Sequence, residues 1–123
     1  MIKVEPVKSI VVIEVVGTPT HIEIQEAIDE FLRHPDHKDG MDEIWDFRKA
    51  SMASFNESKL RILADFVKER LPKLAKRVAY VIAKDVDYGI GRMWMTYADI
   101  LNAKQERQLF RNMEEAVAWL ASP

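Results

Sequence analysis

The stretch DVDYGIGRMWMTYADI, residues 85–100, gathers more chemistry-bearing side chains than any other part of the chain. Gly89 and Gly91 raise phosphate binding, because glycine loops let backbone N–H groups close around a phosphate. A dinucleotide fingerprint needs a third glycine in the pattern GxGxxG, and that position is Trp94. A nucleoside triphosphate loop needs Gly-Lys followed by Ser or Thr, and this too is absent. The spacing fits the first turns of a helix instead. A glycine inside a helix costs about 1 kcal/mol relative to alanine, so the pair implies a close approach to the sheet, a ligand or a partner. Tyr88, Arg92, Met95 and Asp99 share one stripe of this helix, opposite Ile90 and Trp94. Tyr, Arg and Met are favoured at protein interfaces, which makes the stripe a candidate contact surface.

Three further clusters could carry chemistry. HPDH (34–37) sets His34, Asp36 and His37 together, with His21 a helix away. Imidazole and carboxylate suit zinc, but Pro35 and Asp36 are turn residues at a helix terminus, and no metal site is expected. WDFRKAS (45–51) puts Asp46, Arg48 and Ser51 at the end of a strand, where parallel α/β sheets hold their ligands. Asp46 is a candidate base or an ion-pair partner for Arg48. Ser51 and Ser54 have no histidine near them in sequence and no GxSxG elbow around them, so turn and cap roles are favoured. Asp42–Glu43 and Glu114–Glu115 begin secondary elements, and acidic residues at a helix start answer the macrodipole. No nucleophile–base pair, metal set or cofactor loop is legible. A noncatalytic protein without a cofactor is expected.

The elements that position these residues alternate. SIVVIEVV (9–16) and VAYVIA (78–83) are short apolar runs of the kind found in buried strands. They are expected side by side at the centre. IKVE precedes the first run, with Pro6 and Lys8 between, and reads as the other arm of an antiparallel hairpin. DEIWDFRKA (42–50) reads as a strand, with Ile44 and Asp46 on one side and Trp45 and Phe47 on the other. RQLF (107–110) is a weak last strand. Capping boxes at THIE (20–23) and SFNE (54–57) start two helices. Their apolar faces are Ile24, Ala27, Ile28, Phe31 and Leu32, then Leu60, Leu63, Val67 and Leu71, with Pro72 ending the second. Asp85 or Asp87 caps a third helix, whose inward face is Ile90, Met93, Trp94, Tyr97 and Leu101. Asn112 caps a fourth. The order predicts a single-domain α/β sandwich: a mostly parallel sheet of four to five strands flanked by about four helices.

Composition agrees. The chain has 123 residues, 48% apolar and 31% charged, which suits one folded domain. Its 18 basic and 20 acidic residues are interleaved, leaving no basic face for nucleic acid. It has no cysteine, which excludes disulfides and thiolate chemistry and fits the cytoplasm. Neither a signal peptide nor an integral membrane segment is expected.

Four pieces in order resemble the SpoIIAA-like family of small bacterial proteins, related to the STAS and SEC14-type folds. They are IVVIEVVGTPTHIEI, EIWDFRKAS, RVAYVIAKDVDYGIGRMW and LFRNMEEAVAWL. The resemblance implies a STAS-like fold, a bacterial cytosolic setting and self-association as a dimer. Anti-sigma-factor antagonists of this fold are phosphorylated at an Asp-Ser-Ser-Gly-like motif. SMASFNES lies in that region without the motif, leaving Ser51 and Ser54 as candidate phosphorylation sites. The SEC14 relationship implies a lipid or other small apolar ligand, lined by Trp45, Phe47, Tyr88, Trp94 and Tyr97. The expected function is a binding or interaction module, with a regulatory protein partner or a small apolar ligand. Its working surface is expected at Asp46, Arg48, Ser51, Tyr88, Arg92 and Met95.

Overall fold

Strands and helices follow one another as β1 (Ile2–Val7), β2 (Ile10–Gly17), α1 (His21–Arg33), β3 (Asp42–Ala50), α2 (Glu57–Lys68), β4 (Arg77–Val81), α3 (Asp85–Leu101), β5 (Glu106–Phe110) and α4 (Met113–Ala121). The computed structural model describes residues 2–7, 9–70, 73–101 and 105–123. The five strands lie in the sheet in chain order. β1 is antiparallel to β2, and every other pairing is parallel. The expected α/β architecture, with its N-terminal hairpin, is therefore present.

Each parallel step needs a crossover, and each contains one helix. Crossovers of one hand stepping in one direction place their helices on one face. α1, α2 and α3 accordingly share a core with Ile13, Trp45 and Val78. α4 covers the other face through Ala116 and Leu120, against Ile44, Val81 and Phe110.

One expectation fails here. The two apolar segments are not neighbours, because β3 lies between them: Ile44 is aligned with Val12 on one side and Ala79 on the other. A single crossover helix returns the chain to the adjacent sheet position, so β3 must follow β2. Its polar letters disguise a central strand, since Glu43 and Asp46 are both buried and both partnered. β4 also closes at Val81, short of the expected residue 83.

The helix starts follow their caps. Thr20 Oγ1 accepts from the Glu23 amide, and Glu23 Oε1 accepts from the Thr20 amide, completing the expected box. α2 begins two residues later than its box suggested, because Asn56 Oδ1 takes the Lys59 amide at 3.0 Å. Ser54 is thereby free to donate its hydroxyl to the Pro19 carbonyl. Leu71 and Pro72, expected on and after α2, lie outside the described residues. Asn112 caps α4 at 2.9 Å as expected. Asp85 and Asp87 fall inside α3, so neither precedes it as a cap.

α3 keeps Ile90, Trp94 and Tyr97 against the core as expected, but is rotated about them. Asp87, Gly91 and Ala98 are its buried positions, while Met93, expected inward, is 37% exposed. Gly91 explains the rotation. A Cβ built there would stand 2.7 Å from Ile82 Cδ1 and 3.1 Å from Leu109 Cδ2, so this glycine lets the helix press onto β5 and the residue that follows β4. Gly89 meets nothing within 4 Å. The two glycines should respond oppositely to alanine. Gly91→Ala gains about 1 kcal/mol of helix propensity but loses about 1–3 kcal/mol to overpacking, a net loss on the order of 1 kcal/mol. Gly89→Ala keeps the propensity gain, about 1 kcal/mol. Urea titration at low protein concentration checks both signs.

Candidate ligand-binding cavity

β3 alternates, so Glu43, Trp45 and Phe47 point to the three-helix side while Ile44 and Asp46 point to the other. On the helix side a cavity of about 60 Å³ lies between the sheet and α1, α2 and α3. Its body is apolar, formed by residues such as Ile28, Leu60, Leu63 and Val78. Glu43, Tyr80, Trp94 and Gln105 add polar atoms to the lining.

Glu43 is 4% exposed. Its Oε1 accepts the Trp45 indole N–H at 2.9 Å, and its Oε2 accepts the Ala75 amide at 3.3 Å. Burial pushes its pKa up to about 7; these two hydrogen bonds and the nearby Arg107 charge offset part of the rise. Gln105 Nε2 donates to the Ala75 carbonyl at 2.8 Å, which ties the start of β5 to the same backbone segment. Arg107, whose side chain is wholly buried, donates to Gln105 Oε1 at 2.9 Å and to Asp99 Oδ1 at 3.0 Å. Burial also holds the Tyr80 hydroxyl well above the ordinary phenol range, with the Trp94 indole pulling the other way. That contact falls short of hydrogen-bond geometry, and Trp94 Nε1 is buried with no hydrogen-bond partner among the described residues.

The residues expected from sequence lie elsewhere. Asp46 and Arg48 form a two-pronged ion pair on the opposite sheet face, with Nε–Oδ1 and Nη2–Oδ2 both at 2.9 Å. The register slips between Glu14 and Val16, where β3 carries one extra residue. That bulge frees the Arg48 amide from the ladder, and Asp46 Oδ1 takes it at 3.1 Å. Burial works to raise the Asp46 pKa, but the Arg48 hydrogen bonds and charge outweigh it and hold the carboxyl below its usual range. Asp46 is thus committed to Arg48. Ser51 Oγ accepts from the Ala53 amide at 3.3 Å, a local turn bond.

Tyr88 and Met95 are half-buried against the core, leaving Arg92 and Asp99 as the exposed members of the expected stripe. The Tyr88 ring is faced by Arg111 at 4.0 Å and Arg92 at 5.8 Å. Of the five aromatics expected around a ligand, Trp45, Phe47 and Trp94 line the cavity. Tyr88 and Tyr97 pack on the core outside it. His34 Nδ1 accepts the Asp36 amide at 3.1 Å, and His37 packs on Phe31, so HPDH is built as a turn.

Sequence reasoning missed Glu43, Tyr80 and Gln105 as cavity-lining polar residues. Only Glu43 carried a signal: it shares a strand face with Trp45 and Phe47, where an unpaired carboxylate would be costly. It also missed the tie from Asp87, whose buried Oδ1 accepts the Met52 amide at 3.0 Å and fixes the start of α3 to the β3–α2 loop.

No protein-family model matches the chain, and no curated protein matches it in sequence. Its fold is similar to the crystal structure of an uncharacterized protein from the DUF3478 family, with a SpoIIAA-like fold, from Shewanella loihica PV-4. The two share 15% identity with a TM-score of 0.57, over 98% of this chain and 93% of that one. The chain has a SpoIIAA-like fold, with no helix among its described residues long and apolar enough to cross a membrane.

Proposed function

We propose that this protein is a noncatalytic binding module whose ligand is a small amphiphile held in the cavity under α3. The ligand places an acceptor, a hydroxyl or carbonyl oxygen, against the Trp94 indole N–H. Its apolar body lies among Ile28, Leu60 and Leu63. The observation that carries the reading is the pairing of an apolar chamber with a buried donor, Trp94 Nε1, that makes no hydrogen bond among the described residues. A buried polar group left without a hydrogen bond costs about 1–3 kcal/mol, which a ligand oxygen would recover.

Size narrows the class. A volume of about 60 Å³ is under half of the roughly 150 Å³ cavity that admits benzene. The chamber suits a short-chain alcohol or ketone; a long acyl chain would have to lift α3 off the sheet. The noncatalytic assignment rests on how the candidate catalytic groups are spent: Asp46 on Arg48, Ser51 on a turn and Ser54 on Pro19.

The test is a titration with 1-propanol, followed through the Trp94 indole N–H resonance. A saturable shift is expected, and Leu63→Phe, which fills the chamber, should abolish it. A shift that is linear in propanol and identical in both proteins defeats the proposal.

A further inference from the structure

The chamber under α3 contains a charge that a ligand hydroxyl alone does not answer. Glu43 lines it, and both hydrogen bonds to its carboxylate come from neutral donors, the Trp45 indole and the Ala75 amide. Arg107 acts on it as a nearby charge while donating to Gln105 and Asp99. A buried carboxylate is costly to ionise unless a cation joins it. Each carboxylate oxygen has room for two donors, and each oxygen of Glu43 accepts from one. Glu43 therefore keeps capacity for the N–H groups of an incoming cation.

We infer that the ligand carries a primary ammonium, held by the Glu43 carboxylate, and that the chamber takes a free amino alcohol of two or three carbons. The inference rests on the reading of the chamber as a ligand site and names the second polar end of that ligand. The walls are its second support. Trp45, Phe47, Phe55, Tyr80 and Trp94 all line the chamber. Organic cations are attracted to aromatic rings, most strongly where water is excluded. Aromatic walls around one carboxylate replace what an alkylammonium loses when it leaves water. Size is the third support. A chamber of about 60 Å³ leaves no room for the three methyl groups of a quaternary ammonium. 2-Aminoethanol is 1-propanol with its terminal methyl replaced by an ammonium, so the two occupy nearly the same space.

The pairing makes binding depend on pH. Burial pushes the Glu43 pKa up to about 7; Asp42 on the same strand adds to the rise, while its two hydrogen bonds and Arg107 on β5 oppose it. The other walls face it with uncharged side chains: Tyr80 from β4, Ile28 from α1, Leu63 from α2 and Trp94 from α3. An alkylammonium keeps its proton well above this range, as lysine does with a pKa of about 10.4. Below about pH 7 the ligand must displace a proton from Glu43, and its affinity falls about tenfold per pH unit.

The test compares 2-aminoethanol with 1-propanol at about pH 8, through the Trp45 and Trp94 indole N–H resonances. 2-Aminoethanol should bind about tenfold more tightly or better, and should move the Trp45 signal, whose N–H is bonded to Glu43. Lowering the pH to about 5.5 should weaken it about thirtyfold and leave 1-propanol unchanged. Glu43→Gln, with its folding verified by cooperative urea unfolding, should lose the preference for the amine. 2-Aminoethyl phosphate carries the same ammonium on a body too large for the chamber, and should bind about tenfold more weakly than 2-aminoethanol or worse. Equal binding of the two would point to a lipid headgroup and overturn the free amino alcohol. If 1-propanol binds and 2-aminoethanol binds no better, the ammonium is wrong and the chamber remains a ligand site. If neither binds, both readings fail. Binding of 2-aminoethanol that ignores both pH and Glu43→Gln would place the cation outside the chamber and overturn the inference.

Discussion

From about pH 4.5 to about pH 8 the protein is expected to lose on the order of 3 kcal/mol of stability that Glu43→Gln does not lose. Burial raises the folded-state pKa of Glu43 from 4.5 to about 7. Between those values the folded protein keeps a proton that the unfolded chain has released. A raised folded pKa on an acid therefore means stability that is full below the unfolded value and drains as pH rises through the folded one. Glutamine cannot ionise, so position 43 adds no slope to the variant's profile. Asp46 slopes the other way at lower pH, because its folded pKa is depressed and its contribution is lost on acidification. Subtracting the variant's profile from the wild type's removes that term and every other shared one. Urea unfolding at a series of pH values makes the measurement, and superimposable profiles would show that Glu43 is not buried as described.

The same residue marks where sequence reasoning reaches its limit. The helix starts at Thr20 and Asn112 were legible because each cap is a local hydrogen bond between residues three apart. The α2 start was misplaced because Ser54 bonds Pro19, a partner 35 residues away that no local pattern announces. The α3 face was misjudged for a related reason. Periodicity ranks residues by polarity, and it put Met93 inside. The position facing Ile82 and Leu109 is instead the residue with no side chain, Gly91, where any added Cβ would crowd their terminal methyls. The centre of the sheet was misread because an apolar run was taken as the mark of a central strand. β3 is central yet polar in composition, since its carboxylates are matched by Trp45, Ala75 and Arg48. The polar lining of the cavity comes from β3, β4, α3 and the residue before β5, which only the fold assembles.

Trp45→Phe is expected to be the most damaging conservative change in the cavity wall, and its cost should depend on pH. The indole stacks on Phe47, with centroids 6.1 Å apart and planes 13° from parallel, and meets the Phe31 ring at 6.4 Å. Trimming it to a phenyl ring removes packing worth about 1–2 kcal/mol, less than the cost of truncation to alanine. It also removes the N–H that Glu43 Oε1 accepts at 2.9 Å. That bond is worth about 1.5–3 kcal/mol to an ionised carboxylate and about 1 kcal/mol to a neutral carboxyl. The total should be about 4 kcal/mol near pH 8 and about 2–3 kcal/mol near pH 5, where Glu43 holds its proton. Loss of the donor also pushes the Glu43 pKa higher still, because this hydrogen bond is one of the forces opposing burial. In a Glu43→Gln background the pH dependence of the Trp45→Phe cost should vanish while most of the packing cost stays. A cost independent of pH in the wild-type background would separate the indole from the carboxylate, and with it the polar end of the cavity.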